Sequence, residues 1–157
     1  MKPRLYLETT IPSYLVARRS RDLRLAADQE TTQQWWESER QGFLIFISTT
    51  VLKEIQRGDP AQAATRAASL ADVPLLGDLP EASELAKHLL RDEIIPTVAA
   101  DDATHVALAA AHRMDFLLTW NCKHINNHNI RRRIQRACEA VGLACPDICT
   151  PAELMKL

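Results

Sequence analysis

The sequence predicts an α/β fold: a central, mainly parallel sheet with helices on both faces. Three observations carry this. Short continuous apolar runs recur at residues 5–7, 43–47, 73–76 and 116–118, with a weaker one around 143–148. Runs of that kind suit strands covered on both faces, as in parallel sheets. Longer segments with helical patterning lie between them, and strand–helix alternation within one unit implies helices on both sides of a sheet. Finally, 157 residues, 46% hydrophobic and 25% charged, describe an ordinary globular chain of one domain, residues 1–157.

The run at 5–7 enters Glu8-Thr9-Thr10-Ile11-Pro12, where Thr10 reads as an N-cap and Pro12 as a first-turn residue. A helix over 25–40 carries Trp35 and Trp36. The run at 43–47 ends in the cap cluster Ser48-Thr49-Thr50, which starts a helix over 50–57 that stops at Gly58-Asp59-Pro60. An Ala-rich helix covers 61–71, and another follows Pro80 over 81–91. Over 101–112, Ala103, Val106, Ala107 and Ala110 form a stripe at the helical period. A basic helix covers 127–140.

Composition also excludes. Lys and Arg number 19 against 20 Asp and Glu, for a net charge of −1, so any contact with nucleic acid must come from a local patch. No apolar run approaches the ~18 residues of a membrane span. The N-terminus is too interrupted by polar residues to be a secretory segment. The four cysteines at 122, 138, 145 and 149 are too few for a disulfide scaffold. A cytoplasmic protein with reduced thiols and no membrane partner is expected.

Sites in open parallel sheets form beyond the carboxyl ends of the strands. Glu8 stands there after the first run, although alone it reads equally well as a solvated loop carboxylate. Glu54 lies about one turn into the helix after Ser48, a little late to serve the helix dipole. Asp101 and Asp102 open the Ala-rich helix; one suffices as a cap, and Asp102 shares a face with Val106 and Ala109. The fourth run ends in Thr119-Trp120-Asn121, with Thr119 and Asn121 on one side. Core packing is the favoured reading of Trp120, ahead of base stacking. Three carboxylates brought together repel unless something positive sits among them, and Mg²⁺ or Mn²⁺ is the natural guest.

In this order, Glu8, Ser48-x5-Glu54, the segment Asp102-Ala-Thr-His-Val-Ala-Leu-Ala and Thr119-Trp-Asn121 resemble the PIN-domain ribonucleases. Among these, the chain looks most like VapC-type toxins of prokaryotic toxin–antitoxin pairs. The resemblance covers nearly the whole chain. It implies a three-layer α/β/α PIN-like fold and Mg²⁺- or Mn²⁺-dependent endonucleolytic cleavage of RNA. It further implies neutralisation by a small antitoxin and, commonly, a homodimer. By the resemblance, Glu8, Glu54 and Asp102 hold the metal, Asn121 completes the catalytic set, and Asp101, Thr9, Ser48 and Thr119 support it. Two positions depart from the family pattern: Glu8 stands where Asp is usual, and Asn121 where Asp is frequent. A catalytically weak or inactive module that binds RNA or protein is the alternative.

The arginines at 18, 19, 21 and 24, and those at 131, 132, 133 and 136, read first as solvated helix faces. Arg18, Arg19, Arg131, Arg132 and Arg133 are the candidates for phosphate contacts. Cys122, His124 and His128 fit no common zinc spacing. Cys145 and Cys149 read as small buried hydrophobes. His105, at i+3 from Asp102, is expected to hydrogen-bond that carboxylate rather than to catalyse. A phosphoacceptor receiver domain is disfavoured because no Lys follows a fifth strand.

Overall fold

A computed structural model describes all 157 residues. Four strands form the sheet: β1 (Arg4–Leu7), β2 (Leu44–Phe46), β3 (Phe116–Leu118) and β4 (Asp147–Cys149). Their order is β2-β1-β3-β4 and every pair is parallel. The expected α/β fold with helices flanking a parallel sheet is observed. Helices α1 (Thr10–Val16) and α2 (Leu23–Ser38) connect β1 to β2. The β2-to-β3 connection holds α3 (Thr49–Ile55), α4 (Pro60–Ser69), α5 (Pro80–Arg91) and α6 (Ala100–Ala111). Helix α7 (His128–Ala140) joins β3 to β4, and α8 (Pro151–Leu154) closes the chain.

From β1 the chain moves one way along the sheet to reach β2; from there it crosses back over β1 to β3 and continues to β4. Right-handed crossovers in opposite directions put their helices on opposite faces. They also leave a crevice at the carboxyl ends of β1 and β3, where the direction reverses. Glu8 and Thr119 are the first residues beyond those two strands, and the ladder still holds them: Glu8 N–H donates to Leu118 O at 3.1 Å and Thr119 N–H to Cys149 O at 3.0 Å.

The core is one cluster of 31 buried apolar residues running through both helical layers. Helix α6 is central to it. Ala103, Val106, Ala107, Leu108, Ala109 and Ala110 are all buried, and the alanines among them let α6 lie close to α5 and β3. A histidine in the middle of that helix, His105, is therefore fully buried.

Four local expectations are corrected. The run at 73–76 forms a single bridge, Ile47 to Leu75, instead of a strand. Pro74 has no N–H to extend a ladder, although its carbonyl accepts from Ile47 N–H at 3.1 Å. The last strand starts at Asp147, later than expected, because Gly142 (φ 77°) ends α7 and Pro146 again removes a donor. Thr10 is not a cap: Thr9 holds that position without a side-chain bond, and Thr10 turns its hydroxyl to Glu8. Asp101 and Asp102 lie inside the first turn of α6, after a 3-10 turn over Thr97–Ala99, and neither caps it.

Candidate metal centre

Glu8 is 2% exposed although it is a carboxylate. Its Oε1 accepts from the Thr10 hydroxyl at 2.5 Å, the Thr119 hydroxyl at 2.6 Å and the Thr10 N–H at 3.1 Å. The two hydroxyls are themselves oriented. Thr10 Oγ1 accepts from Trp120 N–H at 2.8 Å and Thr119 Oγ1 from Asn121 N–H at 2.9 Å, which leaves their protons for Glu8. Burial pushes the Glu8 pKa above its ordinary value; the nearby His105 charge and the Thr10 and Thr119 hydrogen bonds only partly offset this.

Glu54 reaches the same place from the second turn of α3, a helix capped by Ser48, whose hydroxyl accepts from Val51 N–H. Its Oε1 accepts from the Thr9 hydroxyl at 2.6 Å and pairs with His105 Nε2. On the other side of that imidazole, Nδ1 lies 2.6 Å from the Tyr6 hydroxyl, which lies 2.7 Å from Ser48 Oγ. Burial alone would lower the His105 pKa. The Glu54 hydrogen bond and the charges of Glu8, Glu54 and Asp102 outweigh it and raise the value. Burial pushes Glu54 upward too, but the His105 hydrogen bond and charge, with help from Thr9 and Arg57, bring it below its ordinary value. Burial drives the Tyr6 phenol well above its usual range.

One ligand atom each from Glu8, Glu54 and His105 lies within 4.8 Å of the others, so this group can hold a metal ion. Each carboxylate commits one oxygen to protein donors and leaves the other without a hydrogen bond. These free oxygens reach solvent, since Trp35 Nε1 is the single buried side-chain polar atom lacking a partner. Both imidazole nitrogens are engaged. The donors left open are therefore hard carboxylate oxygens, which suit a hard divalent cation. His105 acts from behind, setting Glu54.

Asp102 lies outside that group. Its Oδ2 is 3.0 Å from His124 Nδ1, so the expected bond to His105 is replaced by one to a residue beyond β3. Asn121 turns its amide oxygen to His124 N–H at 3.0 Å, closing the loop after β3. Asp101 faces outward and pairs with Lys53 at 3.4 Å and Arg57 at 3.3 Å. Thr9, Ser48 and Thr119 all meet the centre. Trp120 packs at the edge of the core, stacked on Tyr14 at 5.7 Å with its indole N–H on Thr32.

The arginines stand apart from this geometry. Arg18, Arg19, Arg132 and Arg133 are exposed. Arg19 donates to Ala26 O, Arg131 to Ile148 O and Arg133 to Asp92 O. Arg131 and Arg132 line a cleft of about 570 Å³ between α7 and the segment leading into β4, to which the acidic centre contributes no residue. All four cysteines are free; Cys149 is buried, which pushes its thiol up to about 12, and Cys145 is half-buried.

Four residues of the centre and its rim were not singled out as functional from sequence: Tyr6, Thr10, His105 and His124. Tyr6 had a readable signal, since it is two residues before Glu8 on a strand and shares its side. His105 interrupts an otherwise apolar helix face. No helix is long and apolar enough to cross a membrane. Comparison with protein-family models and with curated proteins returns no match for the chain.

Proposed function

We propose that this protein is a metal-dependent endoribonuclease of the PIN-domain type, using Mg²⁺ or Mn²⁺ at Glu8 and Glu54. The observation that supports this reading most is the pair of carboxylates at the β1/β3 crevice, each with one oxygen fixed by protein donors and one left without a protein partner. An ion there supplies Lewis-acid polarisation of a phosphoryl oxygen and an acidified water. The rest is done by the chain. Thr10 and Thr119 hold Glu8 in a single orientation. Thr9 and His105 do the same for Glu54, and Tyr6 with Ser48 fixes the His105 ring. Such orienting partners typically change metal affinity or activity by about 10–100-fold. His105 also supplies positive charge to a centre that otherwise gathers carboxylates alone.

VapC-type toxicity, a small antitoxin partner, a homodimer and a cytoplasmic location belong to the same proposal, resting on the sequence resemblance. One observation favours the alternative, a weakly active or inactive binding module. Asn121 carries no charge, and its amide oxygen is already used by the His124 N–H, so it adds no ligand for a second ion. The deciding experiment incubates purified protein with single-stranded RNA in Mn²⁺, in Mg²⁺ and in EDTA, beside Glu54→Gln. Cleavage that needs the ion and Glu54 supports the nuclease. RNA binding without cleavage supports the module.

A further inference from the structure

Away from the acidic centre, two cysteines meet where α7 gives way to β4. The helix ends on a reversal: Gly142, at φ 77°, sends its N–H to Glu139 O at 3.0 Å, and Leu143 N–H reaches Cys138 O at 2.9 Å. This doubly bonded cap turns the chain back over the last turn of the helix. Two residues further on, Cys145 lies alongside Cys138. Cys138 is fully buried, whereas Cys145 is half-buried and packs against the same core. Cys145 also lines the cleft of about 570 Å³ beside α7 and a second of about 500 Å³ bounded by Arg113, Met114 and Asp115.

The two thiols interact. Cys145 S–H donates to Pro146 O at 3.4 Å, which leaves its sulfur lone pairs for the Cys138 S–H. Contact with Cys138 holds the Cys145 thiol below its ordinary value, against burial and the charges of Asp147 and Glu139. Cys138 moves the other way: its contact with Cys145, then its burial, drive it well above the usual range. The remaining thiols lack one half of this arrangement. Cys122 is exposed, but its charged neighbours are Glu153, Asp28 and Arg131, with no thiol among them. Cys149 is buried and pushed up to about 12. A thiol on the wall of a cleft, lowered and backed by a buried second thiol, is the arrangement of an attacking and a resolving cysteine.

We propose that Cys145 and Cys138 are a redox modification site: a small disulfide such as oxidised glutathione enters the cleft and is reduced, and the two cysteines are joined by an intramolecular disulfide. The Cys145 thiolate attacks one sulfur of the incoming disulfide. A mixed disulfide forms on Cys145, and one small thiolate leaves and takes up a proton. The thiolate charge that opposed ionisation of Cys138 is then gone. Cys138 attacks the Cys145 sulfur, and its proton goes with the second small thiolate as that departs. Two protein thiols are oxidised, one small disulfide is reduced to two thiols, and two electrons pass between them. The product ties the last turn of α7 to the segment entering β4. The site shares no residue with the acidic centre, so it does not depend on the nuclease reading.

The test incubates the reduced full-length chain with excess oxidised glutathione at neutral pH and alkylates the remaining thiols. Cleavage after glutamate then separates Cys138 from Cys145 at Glu139 for mass spectrometry. The wild type is expected to yield those two fragments joined, lighter than their sum by two hydrogen atoms, with no glutathione on either cysteine. Dithiothreitol is expected to undo the link, and fragmentation to place it on Cys145 rather than Cys149. Cys138→Ala is expected to stop at glutathione on Cys145, and Cys145→Ser to leave Cys138 reduced. A wild type whose Cys138 and Cys145 stay reduced, whether or not Cys122 takes up glutathione, overturns the inference without reference to a variant. So does glutathione that remains on Cys145 of the wild type, or a link from Cys138 to Cys149.

Discussion

The acidic centre and the basic face of α7 are both collections of like charge, yet the fold treats them in opposite ways. Glu8, Glu54 and His105 arrive from β1, α3 and α6, and each is oriented by hydroxyls or rings from further elements. Arg131, Arg132 and Arg133 arrive together on one helix. Two of them use their guanidinium groups on nearby backbone carbonyls, and Arg132 faces solvent. Desolvating Glu8 opposes its charge, so the hydroxyls and His105 that surround it offset a real cost. Nothing comparable is spent on the arginines. Convergence from distant elements, with burial, separates a built centre from a charged surface.

The largest expected effect breaks the built side of that contrast. Glu54→Gln or Glu8→Gln removes one of two hard ligands, and ion-dependent cleavage should fall to background. A near-wild-type rate with Mn²⁺ in either variant would dissolve the distinction. Next, His105→Gln removes the group that orients Glu54, and activity should drop by about 10–100-fold; cleavage kinetics against Mn²⁺ concentration would show a weaker apparent ion affinity. Thr119→Val deletes a donor to a buried carboxylate and should cost about 1.5–3 kcal/mol in a metal-free denaturant melt at neutral pH.

The pH dependence follows from the same burial. A raised His105 pKa means that its stabilisation is complete below its ordinary 6.5 and is lost as pH rises through the higher folded value. Glu8, also raised, prefers its proton when folded, so ionisation above its ordinary 4.5 lowers stability in the same direction. Glu54, lowered, contributes stability above 4.5 that is lost as pH falls through its folded value. In EDTA, the melting temperature should therefore decline as pH rises above about 6.5, the ordinary His value. His105→Gln should flatten the decline, and saturating Mn²⁺ should oppose it by favouring the deprotonated carboxylates. The smallest effect belongs to the surface. Changing Arg131, Arg132 and Arg133 to Gln should shift stability little. If the three touch phosphates, the salt slope of RNA binding should flatten by about 2; an unchanged slope returns them to solvent.

The strand runs and the Ala-rich helix were legible because burial on both sides of a sheet writes itself as uninterrupted apolar sequence. Glu8 and Glu54 were legible as well, since Glu8 directly follows the first strand run and Glu54 lies one turn beyond the cap cluster that ends the second. What the sequence did not disclose were pairings across long separations. Tyr6 meets His105 across 99 positions and Thr119 meets Glu8 across 111. Local spacing instead pointed His105 at Asp102, three residues away. On α6 that neighbour turns to His124, while the ring points into the crevice toward Tyr6 and Glu54. The 73–76 run failed as a strand for a local reason, Pro74, that one residue of the sequence already carried.

Titration calorimetry with Mn²⁺ on the wild-type chain, Glu8→Gln and Glu54→Gln tests the centre most directly. An ion bound by the wild type and lost or strongly weakened in both variants, with each variant still folded, is the result expected of two carboxylates sharing one cation. No Mn²⁺ binding by the wild type, or equal affinity in all three proteins, would contradict it and leave Glu8, Glu54 and His105 as a charge network internal to the fold.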